Sequence, residues 1–173
     1  MIHFILDLDF TLYSENDIDT TNTTLFYDSF KEKKFLNKLL NTLKKYGKLY
    51  IFSNGNNEHV EYVIQKMNLN NIFTNTSNSD EYNNLLKPTT YPYKYVINKF
   101  NINKDDLVIF FEDTLENLKT AKKYNWITVY IDNNVVNKYN YVDFIFPTIE
   151  KALLFFNNYP IYKYLNNIKC INN

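Results

Sequence analysis

Two pairs of carboxylates could do chemistry in this chain. Asp7 and Asp9 fall in the run Asp7-Leu8-Asp9-Phe10-Thr11-Leu12-Tyr13, and Glu112 and Asp113 in Phe110-Phe111-Glu112-Asp113-Thr114-Leu115-Glu116-Asn117. Ser53, Asn54 and Gly55 follow the apolar run Leu49 to Phe52, and Lys87 precedes Pro88. Carboxylates brought within ~4–6 Å of one another repel and raise each other's pKa values. A hard divalent cation relieves that repulsion, and Mg²⁺ commonly takes one or two carboxylates together with waters and phosphate oxygens. Lys87 would add a compact positive charge. A hydroxyl and a Gly-containing turn ahead of a helix can offer donors to a phosphate. Acids, a lysine and a hydroxyl around a metal point to phosphoryl transfer.

The elements that must position these residues alternate along the chain. Ile2 to Leu8 is an apolar run ending in acid, the pattern of a strand buried on both faces. Phe35, Leu36, Leu39, Leu40, Leu43 and Tyr46 recur at helical spacing, and Gly47 reads as the C′ stop of that helix. Leu49 to Phe52 predicts a strand, Val60, Val63, Ile64 and Met67 a helix, and Ile72-Phe73 a short strand. Asn75 to Asn84 reads as loop. Pro92 suits the first turn of a helix carrying Val96, Ile97 and Phe100. Leu107 to Phe111 predicts a strand, Thr114 to Tyr124 a helix, Ile127 to Ile131 a strand, and Asp143 to Phe146 an edge strand before a helix from Thr148. Strict alternation implies an α/β fold: a three-layer, Rossmann-like parallel sheet with helices on both faces. In such sheets ligands bind outside the carboxyl ends of the strands, where the acids, Ser53 and Lys87 are expected.

With those residues in place, the chain resembles the haloacid dehalogenase (HAD) superfamily over almost its whole length. Asp7-Leu8-Asp9-Phe10-Thr11 matches the family's D-x-D-x-T first motif, Ser53 the second, Lys87-Pro88 the third, and Glu112-Asp113 to Asn117 the acidic fourth. The resemblance implies a Mg²⁺-dependent phosphatase in which Asp7 is the nucleophile and Asp9 the general acid and then base. Asp7, Asp113 and the backbone carbonyl of Asp9 would hold the metal, and Ser53, Asn54 and Lys87 the phosphoryl oxygens. Thr11 would brace its loop, and Asn117 would bond the loop of Asp113. Glu112 stands where part of the family has Asp, and is expected to reach the metal only indirectly. The dehalogenase branch lacks the second acid, so Asp9 favours phosphate-ester hydrolysis.

The intervals Thr11 to Phe35 and Ser53 to Lys87, where relatives insert a cap, are each too short for a domain. A single domain over residues 1–173 with no large cap and an open site is expected. The Phe52-Ser53-Asn54 and His59 region is similar to pyrimidine 5′-nucleotidases, and the length to capless magnesium-dependent phosphatases. A nucleoside monophosphate or similar small ester is the leading substrate class. Capless relatives also manage by self-association, so a homo-oligomer is one expectation. A phosphoprotein or a nucleic-acid phosphate end is the alternative that an open site admits. A receiver-like phospho-aspartate domain fits less well, because its acceptor would follow the third strand, where no suitable Asp stands.

Composition narrows these readings. Lys plus Arg equals Asp plus Glu at 19 each, and the zero net charge does not favour a nucleic-acid partner. All 19 basic residues are Lys, so no bidentate Arg clamp can take part. The abundant Asn, Tyr and Phe are read as the mark of an A/T-rich genome. One cysteine, Cys170, excludes a disulfide framework and a Cys-based zinc site. No signal peptide is read at Met1, and the apolar stretch Ala152 to Phe156 falls short of the ~20 residues that span a bilayer, so a soluble cytoplasmic protein without a membrane partner is expected. His3 and His59 are read as a strand and a helix-surface residue, Ser53 also as a helix N-cap, and Tyr13 as a substrate-stacking candidate.

Overall fold

Alternate residues of each strand point to opposite faces, and both faces are apolar. Phe4, Leu6, Leu49, Ile51, Ile109 and Phe111 enter one core; Ile5, Tyr50, Phe52, Val108 and Phe110 enter the other. A sheet apolar on both sides must be covered on both sides. The computed structural model, which describes residues 1–159 except 20, 84 and 135–137, shows how. Cys170 and Asn84, both named in the sequence reading, lie outside the described residues.

Six parallel strands, β1 (Ile2–Leu6), β2 (Lys48–Phe52), β3 (Asn75–Ser77), β4 (Leu107–Glu112), β5 (Ile127–Ile131) and β6 (Phe144–Phe146), run in the order β3-β2-β1-β4-β5-β6. Helices α2 (Lys34–Leu43), α3 (Asn57–Lys66) and α6 (Ile149–Asn158) bury Leu36, Leu40, Val60, Val63, Leu153 and Phe156 against the first face. Helices α4 (Thr90–Lys99) and α5 (Leu115–Lys122) bury Tyr93, Val96, Leu118 and Ala121 against the second. The three-layer α/β expectation is met. The strand order reverses beside β1: β2 and β3 extend to one side, and β4, β5 and β6 to the other. At that switch point the loops after β1 and β4 diverge and open a crevice at the carboxyl ends.

Several local readings need correction. The strand placed at Ile72-Phe73 forms instead at Asn75–Ser77, paired to Tyr50–Phe52 of β2, and Ile72 packs in the core. The segment read as loop thus carries β3 and a 3₁₀ turn at Ser79–Tyr82. The interval after Thr11 holds a 3₁₀ turn at Glu15–Asp17 and a short helix, α1 (Thr23–Ser29), that apolar periodicity did not reveal. Phe35, assigned to the buried stripe of α2, is 54% exposed.

Gly47 does not end α2, which stops at Leu43, and Gly47 does not adopt positive φ. Its small size matters for another reason: a Cβ there would stand 2.5 Å from the carbonyl oxygen of Ile2. The left-handed helix ends are asparagines. Asn68 after α3 and Asn101 after α4 have φ of 57° and 53°, and Leu69 N–H to Ile64 O and Ile102 N–H to Ile97 O, both 2.9 Å, close Schellman motifs. Among the described residues, no helix is long and apolar enough to cross a membrane.

At the amino ends of the strands, Asp106 accepts from the Met1 amino group, from His3 Nε2 at 3.2 Å and from the Asn103 backbone at 2.8 Å. Burial alone would raise the Asp106 pKa, but these donors outweigh it and hold it well below the usual range. His3 is lowered by its own burial. Both groups bind protons less readily folded than unfolded, so acid favours the unfolded chain. The His3 contribution begins to fall as pH drops through about 6.5, and the Asp106 contribution below about pH 4. Asp106→Asn is therefore expected to flatten the loss of melting temperature between pH 5 and pH 3; an unchanged slope would remove Asp106 from that role.

Candidate active site

The end of β1 delivers Asp7 and Asp9 to the switch point, the end of β4 delivers Glu112 and Asp113, and the end of β2 delivers Ser53. Asp7, Glu112 and Asp113 each offer a carboxylate oxygen within 4.8 Å of the others, a set that could hold a metal ion. Asp7 and Glu112 are buried, and Asp113 half-buried. Burial first, then the charge of Glu112, pushes Asp7 well above the ordinary carboxylate range. The same two causes push Asp113 up to about 8. Such crowding is the condition that a bound dication would relieve.

Lys87 is placed between two of the acids. Its ammonium donates to Asp7 Oδ1 at 2.7 Å, Glu112 Oε2 at 2.8 Å and the Phe52 carbonyl at 2.8 Å. Burial pulls its pKa down, but Asp7 and Glu112 prevail and raise it. An ammonium has three N–H bonds. All three are engaged within the protein, which differs from the expectation that Lys87 binds phosphoryl oxygens. Asn54 differs too: its amide bonds the Lys87 backbone both ways, donating to O at 3.1 Å and accepting from N–H at 2.9 Å, so it positions Lys87.

Glu112 accepts four hydrogen bonds within the protein. Oε1 accepts from the backbone N–H groups of Asp113 and Thr114, both at 3.1 Å, and Oε2 accepts from Lys87 and from Asn117 Nδ2 at 3.0 Å. Asn117 therefore holds Glu112, where the sequence pointed to the Asp113 loop. Asp113 faces the crevice, and Thr11 Oγ1 donates to its Oδ1 at 3.3 Å, tying the loop after β1 to the loop after β4.

Asp9 sits in a nest of donors. Tyr13 Oη donates to Oδ1, His59 Nε2 lies 2.6 Å from the same oxygen, and Ser53 Oγ is 3.4 Å from Oδ2. Burial would raise the pKa of Asp9, but His59 and Tyr13 overcome it and hold it below the usual range. Three sequence readings fail here. Tyr13 is buried, its hydroxyl turned to Asp9, and no longer a stacking surface for substrate. His59 is half-buried and bonded to Asp9, and the N-cap of its helix is Asn56, whose side chain accepts from His59 N–H at 2.8 Å, rather than Ser53. The SNG-x₃-H spacing was the signal available for His59, but its contact with Asp9 exists only across the crevice. Phe10, next to Asp9, has a left-handed φ of 57° and is 42% exposed. A bulky residue in that region is strained, a condition that accumulates at functional loops.

Beside Asp113 and Thr11 lies a cleft of 490 Å³, bordered by Phe10, Glu15, Asp17, Lys33, Asp132 and Glu150. That volume is within the range of small-ligand sites.

Comparison with known proteins agrees with this architecture. A family profile described as haloacid dehalogenase-like hydrolase matches residues 24–125. The chain belongs to the haloacid dehalogenase-like hydrolases, a family of enzymes. No match was found among curated protein sequences. Among solved structures, the chain is similar to a candidate β-phosphoglucomutase from Thermotoga maritima, at TM-score 0.71 and 15% identity, covering 91% of this chain and 99% of that one. It is similar to a HAD phosphatase from Thermococcus onnurineus, at TM-score 0.66 and 16% identity, covering 88% and 96%. It is also similar to the L-2-haloacid dehalogenase from Xanthobacter autotrophicus with chloropropionic acid covalently bound, at TM-score 0.63 and 15% identity, covering 75% of this chain and 62% of that chain. The first two dehalogenase structures it matches are spanned over 57% and 59% of their length. At these identities the likeness is one of fold.

Proposed function

We propose that this hydrolase is a Mg²⁺-dependent phosphatase, without a large cap, that cleaves small phosphate monoesters, nucleoside monophosphates being the leading class. The observation that supports it best is the second carboxylate, Asp9, two residues from Asp7 and held in the site by Tyr13 and His59. Hydrolysis through one carboxylate alone gives no group to protonate a departing alkoxide.

An oxygen of Asp7 attacks phosphorus, and the bond from phosphorus to the ester oxygen breaks. Asp9 gives its proton to that oxygen. A water then attacks the aspartyl-phosphate, Asp9 takes the water's proton, and phosphate and free Asp7 are released. Asp9 stands as a carboxylate in the free protein; the negative charge of an incoming phosphate pushes its pKa back up toward the acid form. Asp7, Asp113 and the Asp9 backbone carbonyl would hold Mg²⁺, which when bound would offset charge on the acids and on the phosphoryl group. Lys87 neutralises part of the charge on Asp7 and Glu112, and Ser53 at the end of β2 offers a hydroxyl to the phosphoryl group. Phosphoryl transfer has a loose transition state, so such positioning and neutralisation account for most of the catalysis.

Chelation is expected to abolish turnover of a panel of phosphate esters, nucleotides included, and added Mg²⁺ to restore it. Full turnover after exhaustive chelation would overturn the site assignment, and a panel on which nothing is hydrolysed with Mg²⁺ present would overturn the phosphatase reading.

A further inference from the structure

We propose that His59 is the positioning residue for Asp9, holding the acid/base carboxylate in one orientation, and that helix α1 exists in part to hold the His59 ring. The inference rests on the phosphatase reading above.

Asp9 lies in a loop beside the left-handed Phe10, partly exposed, where an aspartate would ordinarily sample several rotamers. It is pinned instead. His59 Nε2 approaches Oδ1 at 2.6 Å, and Tyr13 Oη donates to the same oxygen. A carboxylate can only accept, so Nε2 carries the hydrogen, and in the neutral ring Nδ1 accepts from Tyr27 Oη at 3.2 Å. Phe26 stacks on the ring with centroids 6.1 Å apart and planes at 24°, and Tyr27 meets it edge-on at 5.8 Å. Phe26 and Tyr27 both come from α1. The remaining side is backbone: a Cβ on Gly55 would stand 2.6 Å from His59 Cδ2. The imidazole thus fills a slot cut by a glycine on one side and by α1 on the other, with its donor aimed at Asp9.

A positioning role predicts dependence on the leaving group. An aryl phosphate such as p-nitrophenyl phosphate departs with little help from an acid, whereas an alkyl ester such as glycerol phosphate needs its oxygen protonated. The full-length chain is assayed with Mg²⁺ on both esters. His59→Ala is expected to lower kcat on glycerol phosphate by about tenfold or more relative to p-nitrophenyl phosphate, within the range of general acid catalysis. Gly55→Ala, which keeps the imidazole but crowds its slot, is expected to shift the ratio in the same direction. Tyr27→Phe, which removes one oxygen atom from a partly exposed side chain and so leaves folding intact, is expected to shift it by about two- to tenfold, the worth of one hydrogen bond. A purely structural role for His59 would lower both activities alike. Equal losses on the two esters, or an unchanged ratio in Tyr27→Phe and Gly55→Ala, would overturn the inference while leaving the phosphatase reading standing. A wild-type chain inactive on both esters would overturn both.

Discussion

Asp7→Asn is expected to abolish hydrolysis of an aryl phosphate, by a factor on the order of 10⁴ or more, while the melting temperature stays close to that of the wild type. The size follows from what is removed. A carboxamide oxygen cannot form the acyl phosphate on which turnover depends, and the neighbouring Glu112 and Asp9 are already engaged. Glu112 is occupied by Lys87, Asn117 and two backbone N–H groups, and Asp9 by Tyr13 and His59. The fold should persist because the Asn oxygen can still accept from Lys87, and one negative charge leaves a crowded, buried site. Steady-state kinetics alongside a thermal melt separates the two effects. Full activity with an intact fold would remove Asp7 from the nucleophile's role.

Lys87→Met is expected to produce the largest loss of stability. The ammonium is buried between Asp7 and Glu112, themselves nearly inaccessible. Deleting one partner of a buried ionic cluster leaves uncompensated charge at a cost of about 3–5 kcal/mol. For a chain of this length that is a fall in melting temperature on the order of 10 °C. If uncompensated charge is the cause, neutralising a second member should recover part of the loss, so Lys87→Met with Glu112→Gln should melt higher than Lys87→Met alone. A melting temperature unchanged in the single variant would show that Lys87 does not hold the acids together. Activity should fall in both variants, since the acids would no longer be set against a cation.

The sequence was most legible where burial dictates composition. The strands at Leu49 to Phe52, Leu107 to Phe111 and Ile127 to Ile131 are buried on both faces. A short, unbroken apolar run set between stretches of regular helical spacing has little choice but to be an inner strand. The sequence was least legible where an element's residues are polar for a local reason. Strand β3 is Asn75-Thr76-Ser77 at the edge of the sheet, where one side pairs with β2 and the pattern carries no apolar signature; the apolar Ile72 drew the prediction, but it is a buried residue of the turn before the strand. Helix α1 escaped notice because it is short and buries no side chain completely. Its useful residues are Phe26 and Tyr27, two among many aromatics in this composition.

The candidate site divides the same way. Which residues approach one another follows from strand ends for Asp7, Asp9, Ser53 and Asp113, while Lys87, which precedes a helix, joined the group through the resemblance. How each side chain is employed depends on neighbours remote in sequence. Asn54 turns to the Lys87 backbone rather than outward, Tyr13 turns inward to Asp9, and His59 reaches across from the first turn of α3. None of those orientations has a signature in spacing.

The asparagines that end helices bear on how this chain tolerates change. Asn68, Asn101 and Asn125 hold positive φ just past three helices, and Asn83 does so after a 3₁₀ turn, in a chain with only two glycines. A left-handed residue with a side chain costs an ordinary amino acid roughly 1–2 kcal/mol, and Asn less, because its short amide can bond locally. Asn also leaves the unfolded chain fewer conformations to lose than Gly would. The sequence therefore reverses direction at these helix ends without the entropic penalty of glycine. The abundant asparagines are thereby part of the architecture, and a library that recodes asparagine freely should lose folded members first at these four positions.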